Sequence, residues 1–314
     1  MILSASDIGL LISSTLTYAA PLIIAGMGSI MSETSGVVNI GIEGQMTIGA
    51  FTCAAASVLT GNPWIGLLAG AMAGAFFGLL HALASVTFKA DQTISGIAIN
   101  LLAPGAAIYF CKAIFDGSTQ TRPVELSDKL PVVLGNIFPA DSFLNYMFKN
   151  YLSVYACLIL ALVIWFLLSK TRYGLRIRAV GEHPRAAATL GISVFKTRYF
   201  CVLLSGVLAA LGGAIIPLST VSYFFPSIIS GQGFIAIAAV IFGKFKPKNT
   251  VLACLLFGFC KSLALALGNP KFGFTVSVHL LNMIPYIITL TVLLFMGRSH
   301  APAASGKIYD PSAS

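Results

Sequence analysis

The chain has 314 residues, of which 57% are hydrophobic and only 9% charged. A soluble domain carries roughly 25% charged residues, and a mean hydropathy of +0.90 leaves too little polar surface to face water, so composition excludes a soluble protein and points to a polytopic membrane protein. The net charge of +9 lies mainly in short loops on one side of the predicted spans, where the positive-inside rule accounts for it, and nucleic acid is not expected as a partner.

A spanning helix needs about 20 mostly apolar residues. Such runs occur near 8–30, 44–60, 64–87, 92–114, 150–169, 198–217, 230–246, 249–267 and 279–297. Their length predicts an all-α polytopic membrane protein of about nine transmembrane helices, not a barrel, whose strands would read as segments of about ten residues alternating in polarity. The loop 170–198 holds seven of the nineteen Lys and Arg residues, among them Lys170, Arg172, Arg176, Arg178 and Arg185. With this loop cytoplasmic, the odd count puts the N-terminus outside and the C-terminus inside. Predicted inner segments then hold thirteen basic residues and predicted outer segments five, with Lys261 inside a span, the bias expected of a membrane protein. No Lys or Arg precedes the first apolar run, so a removed signal peptide, which needs a basic start, is not expected. The chain thus reads as a single transmembrane domain over 1–298 and a cytoplasmic tail over 299–314, which is rich in Ala, Pro and Ser and expected to be disordered.

Two segments break the helical pattern. The first runs from Ser32 to Gln45 through Gly36, Asn39, Gly41 and Glu43; the second runs from Pro217 to Gly233 through Tyr223-Phe224-Phe225-Pro226 and Ser230-Gly231-Gln232. At membrane depth irregular backbone persists only where protein or a water-filled cavity satisfies it, and paired broken segments in the two halves of a chain point to a transport path. Ionisable residues inside a membrane are costly and usually functional, which singles out Glu43; the alternative is a Glu that caps the second span, where its charge suits the helix dipole. Asn39, Gln45 and Gln232 join it as path candidates because they lie in the broken segments. Asn100 sits too deep in the fourth span to cap it, and either bonds a neighbouring helix or lines a cavity.

The third span carries Gly66, Gly70, Gly74 and Gly78. A spacing of four places them on one helix face, where small residues let another backbone approach closely. The connection 115–149 is the longest predicted outer loop and is either a docking surface or a folded-over connector. Lys261 reads as a snorkelling side chain. Phe224 and Phe225 read as interfacial anchors in preference to a base-stacking pair.

No catalytic constellation appears. HExxH, GxSxG and the GxxxxGK[ST] phosphate loop are all absent, so the chain is not expected to hydrolyse ATP itself. The cysteines Cys53, Cys111, Cys157, Cys201, Cys254 and Cys260 form no CxxC pair and lie in or at the ends of apolar runs, where they serve as small packing residues. The four histidines show no ligand spacing, so no metal is expected.

From about 15 to 297 the chain resembles the permease subunits of bacterial ABC importers for simple sugars and nucleosides, the ribose-permease-like group. The most specific pieces are Ser35-Gly36-Val37-Val38-Asn39-Ile40-Gly41-Ile42-Glu43-Gly44-Gln45 and Gly174-Leu175-Arg176-Ile177-Arg178-Ala179-Val180-Gly181-Glu182-His183-Pro184 with Ala186-Ala187-Ala188 and Gly191-Ile192. The first piece looks like the nucleoside branch, and that choice of substrate rests on the resemblance alone. Many sugar members carry a further N-terminal helix; this chain starts just before the second helix of that pattern, in keeping with nine spans.

The resemblance implies an inner-membrane importer permease without a cofactor of its own, ATP and Mg being held by a partner ATPase. It implies that a short cytoplasmic helix docks into the ATPase, with Gly181, Glu182, His183, Pro184, Ala187, Ala188 and Gly191 at the coupling site. The expected partners are that ATPase, a second permease in a heterodimer, an extracytoplasmic substrate-binding protein or lipoprotein, and membrane lipid. A sugar or autoinducer importer and an ion-coupled secondary transporter stand as the alternative readings.

Overall fold

The computed structural model describes residues 5–125, 129–135, 139, 142–268, 283, 287, 291 and 301–310. In chain order the helices are α1 (Ala5–Thr34), α2 (Ile42–Thr60), α3 (Pro63–Ala82), α4 (Gln92–Ile114), α5 (Phe143–Phe148), α6 (Leu152–Lys170), α7 (Arg172–Glu182), α8 (Pro184–Thr189), α9 (Val194–Ile216), α10 (Gln232–Phe242) and α11 (Pro247–Leu267). A π-helical turn extends α3 over Leu83–Thr87 and another extends α9 over Pro217–Val221. The pair β1 (Val132–Val133) and β2 (Asn150–Tyr151) closes the 115–149 connection with antiparallel partners Val132–Tyr151 and Val133–Asn150.

Among the described residues six helices are long and apolar enough to cross a membrane: Asp7–Thr34, Pro63–Thr87, Gln92–Ile114, Leu152–Lys170, Val194–Val221 and Pro247–Leu267. They correspond to six of the nine predicted spans. The predicted span 44–60 is α2, whose 19 residues fall outside this group because Glu43 and Gln45 stand in its first turn. The predicted span 230–246 contains only the 11-residue α10, about 16 Å long at 1.5 Å per residue and too short for a hydrocarbon core of about 30 Å. The span near 279–297 lies almost wholly outside the described residues.

The centre of the bundle is built from α1, α2 and α9. The third helix packs on α2 and α9, α1 packs on α9 and α11, and α4 packs on α2. The glycine stripe of α3 makes these approaches close. A Cβ on Gly74 would stand 2.4 Å from the Gly206 carbonyl oxygen of α9, and one on Gly66 would stand 2.0 Å from Ser57 Oγ of α2; Gly70 and Gly78 lie along the same seam against Ala214 and Leu203. The opposite face of α3 turns Trp64, Leu68, Met72 and Phe76 outward, as α4 does Ile94, Leu101 and Tyr109, the exposed apolar surface that lipid requires.

Composition predicts a disordered tail, yet residues 301–310 are laid against the 170–198 loop and the end of α1. Ala304 N donates to Gly181 O at 2.8 Å, Ser305 Oγ donates to Glu33 Oε2 at 3.0 Å, and Lys89 pairs with Asp310 at 3.0 Å. Composition misses this because few of the contacts involve apolar side chains: the docking is made mostly by backbone and small polar groups.

Candidate functional site

The first non-helical segment, between α1 and α2, is held by side chains from other helices. α1 ends in a turn in which Gly36 takes φ +88°, a left-handed conformation that suits glycine. Beyond it, Val38 N donates to Gln92 Oε1 at 2.7 Å, and His81 Nε2 lies 3.0 Å from Val38 O. Asn100 Nδ2 donates to Ile40 O at 2.9 Å and Asn100 Oδ1 accepts from Gly44 N at 2.8 Å. Asn39 Oδ1 accepts from Gly41 N at 3.1 Å, and Asn39 Nδ2 donates both to Gln45 Oε1 and to Ser205 Oγ of α9 at 3.0 Å. Buried backbone polar groups need partners, and here four amide or imidazole side chains supply them.

The second non-helical segment reaches the first through one carboxylate. Glu43, in the first turn of α2, accepts from Gly231 N and Gly233 N at 2.7 Å each. These N–H groups lie at the start of α10, where helical donors lack internal partners and the dipole favours negative charge. Gly233 sits against Glu43 so closely that a Cβ there would stand 2.6 Å from Glu43 Cα. Glycine is also required at Gly231, whose φ is +85°. Upstream, the same segment is tied to the 115–149 connection by Phe224 N donating to Thr121 Oγ1 at 3.0 Å, and Phe224 is fully buried with its ring edge-on to Phe51 at 5.3 Å.

Of the five path candidates, Asn39 and Gln45 bond each other, Asn100 holds the backbone at Ile40 and Gly44, and Glu43 reaches the start of α10. Gln232 lies between the two glycines that Glu43 holds, and its side chain donates to Ile228 O at 3.4 Å. Glu43 does cap a helix, but the helix is α10, not its own. Among the described residues, Gln45 Nε2 is buried and has no hydrogen-bond partner. Sequence reasoning missed His81 and Ser205. Their signal is a polar side chain in an apolar helix, Ser205 in the middle of α9 and His81 in the last turn of α3, and metal-ligand spacing alone does not pick out His81.

The 170–198 loop folds into α7 and α8, joined at His183. Thr171 Oγ1 caps α7 by accepting from Gly174 N at 3.1 Å, and Pro184 opens α8 at its first position, where its missing N–H costs nothing. Gly181 meets the end of α1 directly, since a Cβ there would stand 2.1 Å from Thr34 O. Ala187 is buried with Val180 and Val194, and Ala188 packs against the same cluster. Gly191, at φ +78°, ends the turn after α8. Glu182, His183 and Arg185 are exposed. A cavity of about 550 Å³ opens beside them, lined by Glu182–Ala186, Arg198 and Ala303–Asp310 residues of the tail.

Long lipid-facing helices, non-helical segments satisfied from within the bundle, and an exposed pair of short helices bearing on the end of α1 define a multi-pass transport permease. The chain belongs to the family described as branched-chain amino acid transport system / permease component, whose model matches residues 11–296. It is 45% identical over 319 residues to the guanosine ABC transporter permease protein NupQ of Bacillus subtilis (strain 168), covering 96% of this chain and 97% of that protein. It is 40% identical over 317 residues to the nucleoside ABC transporter permease protein NupC of Lactococcus lactis subsp. cremoris, with the same two coverages of 96% and 97%. Among solved structures it is similar in fold to a metal-chelate type ABC transporter in an inward-facing conformation, with a TM-score of 0.52 and 14% identity over 91% of this chain and 85% of that one; at that identity the likeness concerns the fold alone.

Proposed function

We propose that this chain is the membrane permease subunit of an ATP-driven importer, that its cargo is a nucleoside, and that ATP is hydrolysed on a separate subunit that engages α7 and α8. The observation that carries the coupling is Gly181. The exposed helix pair touches the end of a spanning helix without an intervening side chain, so a push on α8 reaches α1 and the segment that follows it. The nucleoside assignment draws on the relatives at 45% and 40% identity, which extend over nearly the whole chain.

In this reading the 170–198 loop and the 301–310 segment that lies on it face the cytoplasm of a cell whose inner membrane the bundle spans. The N-terminus is outside, and the crossings number nine, with α10 completing one of them only together with the non-helical segment that precedes it and the apolar run 279–297 counted as the last. Asn39, Gln45 and Asn100 brace the first of the two non-helical segments that border the path, and Glu43 ties it to the second, with Gln232 beside them. A second permease, most simply a longer paralogue, completes the pore, and an extracytoplasmic binding protein or lipoprotein delivers the nucleoside. Lipid covers the outer faces of α3 and α4.

The substrate class is tested by uptake of labelled guanosine into cells that lack their own nucleoside import and express this chain with its partners. Competition by excess adenosine and none by ribose is expected. Competition by ribose alone would move the chain to the sugar branch.

A further inference from the structure

We propose that residues 301–310 form one half of the surface that receives the ATPase subunit, completing with α7–α8 a socket for an acidic edge of that partner. This rests on the coupling reading given above.

The segment is fastened at four places that belong to four different parts of the bundle. Ala304 N donates to Gly181 O of α7 at 2.8 Å. Ser305 Oγ donates at 3.0 Å to Glu33 Oε2 near the end of α1, a carboxylate only 7% exposed. Lys307 O accepts from Arg198 Nη1 of α9 at 3.2 Å. Asp310 pairs with Lys89, in the turn before α4, at 3.0 Å. Tyr309 adds its ring against Phe195 of α9 at 5.6 Å and joins the apolar cluster of Val180, Ala187 and Val194 beneath α8. Each contact is modest singly, but together they hold the segment beside the coupling helices and make it one wall of the cavity of about 550 Å³ whose other wall is Glu182–Ala186.

The cavity asks for an anion. Arg198 lines it from beneath, only 2% exposed, with its Nη1 donating to Lys307 O at 3.2 Å and its guanidinium over the Tyr309 ring at 6.0 Å. Its charge adds to the positive potential of the opening, which attracts a negatively charged group. Arg185 and Lys307 stand at the same opening. Of the two carboxylates there, Asp310 is already paired with Lys89 and Glu182 accepts from Ala303 N at 3.3 Å. An Asp or Glu side chain at the edge of the ATPase subunit fits this arrangement.

The test places p-benzoylphenylalanine at Ile308, which is 51% exposed in the cavity wall, at Arg185 of α8, and at Leu162 as a lipid-facing control. The assembled importer is then irradiated in its membrane and probed for the ATPase subunit. Adducts from positions 308 and 185 and none from 162 are expected. An adduct from 185 without one from 308 overturns the socket and leaves the coupling reading standing, whereas an adduct from neither overturns both. A chain ending at His300 should import nucleoside at least tenfold more slowly, and Lys307→Glu should slow import more than Lys307→Gln. Should the shortened chain fail to insert, Tyr309→Ala together with Ser305→Ala carries the same expectation, and an unaltered rate in that variant contradicts the proposal.

Discussion

The carboxylate of Glu43 holds the start of α10 by accepting from the N–H of Gly233 at 2.7 Å, with a second bond of equal length from Gly231. Residues 190 positions apart in the chain thereby join the two non-helical segments, and the join depends on a negative charge meeting the donor end of a helix. Glu43→Gln keeps the size of the side chain but loses that charge and turns an NH₂ group towards one of the two donors. Bonds to a charged acceptor contribute about 1.5–3 kcal/mol each, so the variant should melt several degrees lower in detergent and import poorly. An unchanged melting temperature would show that the two segments are held together by something else.

A buried amide network carries the next expectation. Asn39→Ala removes the partner of Gly41 N, Gln45 Oε1 and Ser205 Oγ together. Leaving a buried polar group unsatisfied costs about 1–3 kcal/mol, so thermal stability should fall by more than in a Ser205→Ala variant, which deletes a single bond. Equal effects of the two substitutions would contradict the central place given to Asn39.

The close seam between α3 and α9 predicts the cost of overpacking. A methyl group on Gly74 would meet the Gly206 carbonyl oxygen at 2.4 Å, and backbone atoms do not yield cheaply. Gly74→Ala should destabilise by about 1–3 kcal/mol, whereas Gly105→Ala, where nothing lies within 4 Å, should be neutral or slightly stabilising. Differential scanning fluorimetry of the two purified variants checks the contrast.

The contact between the loop and α1 predicts an uncoupled importer. In Gly181→Ala the new methyl group would stand 2.1 Å from Thr34 O, forcing α7 away from α1 while leaving the exposed residues of α8 in place. The complex should still assemble with its ATPase and still hydrolyse ATP, with import at least tenfold slower. Import and hydrolysis falling in the same proportion would argue for loss of assembly instead.

Much of this arrangement was legible in the sequence, and the limits have physical causes. Apolar run length located six long helices because lipid imposes a length and a polarity on anything that crosses it. The same measure also located α2 at 44–60, although Glu43 and Gln45 at its start keep it out of that group, and it overstated the helix at 230–246, which has only 11 residues. Polarity in a broken segment marked Asn39, Glu43 and Gln45, and depth in a span marked Asn100, but the Ser205 hydroxyl that meets Asn39 and the backbone groups that meet Glu43 and Asn100 lie far away in the chain, which no local pattern encodes. The same is true of His81 holding Val38 O. The tail was misread because docking through Ala304 N and Ser305 Oγ leaves no apolar periodicity to detect.

The most direct test of the account is import into proteoliposomes that hold this chain with its second permease, ATPase and binding protein. Labelled guanosine is supplied outside, with ATP inside or omitted, and with or without an imposed ion gradient. The account predicts uptake that requires ATP, ignores the gradient and falls at least tenfold in Gly181→Ala. Uptake driven by the gradient in the absence of ATP would contradict it and would make the chain an ion-coupled carrier.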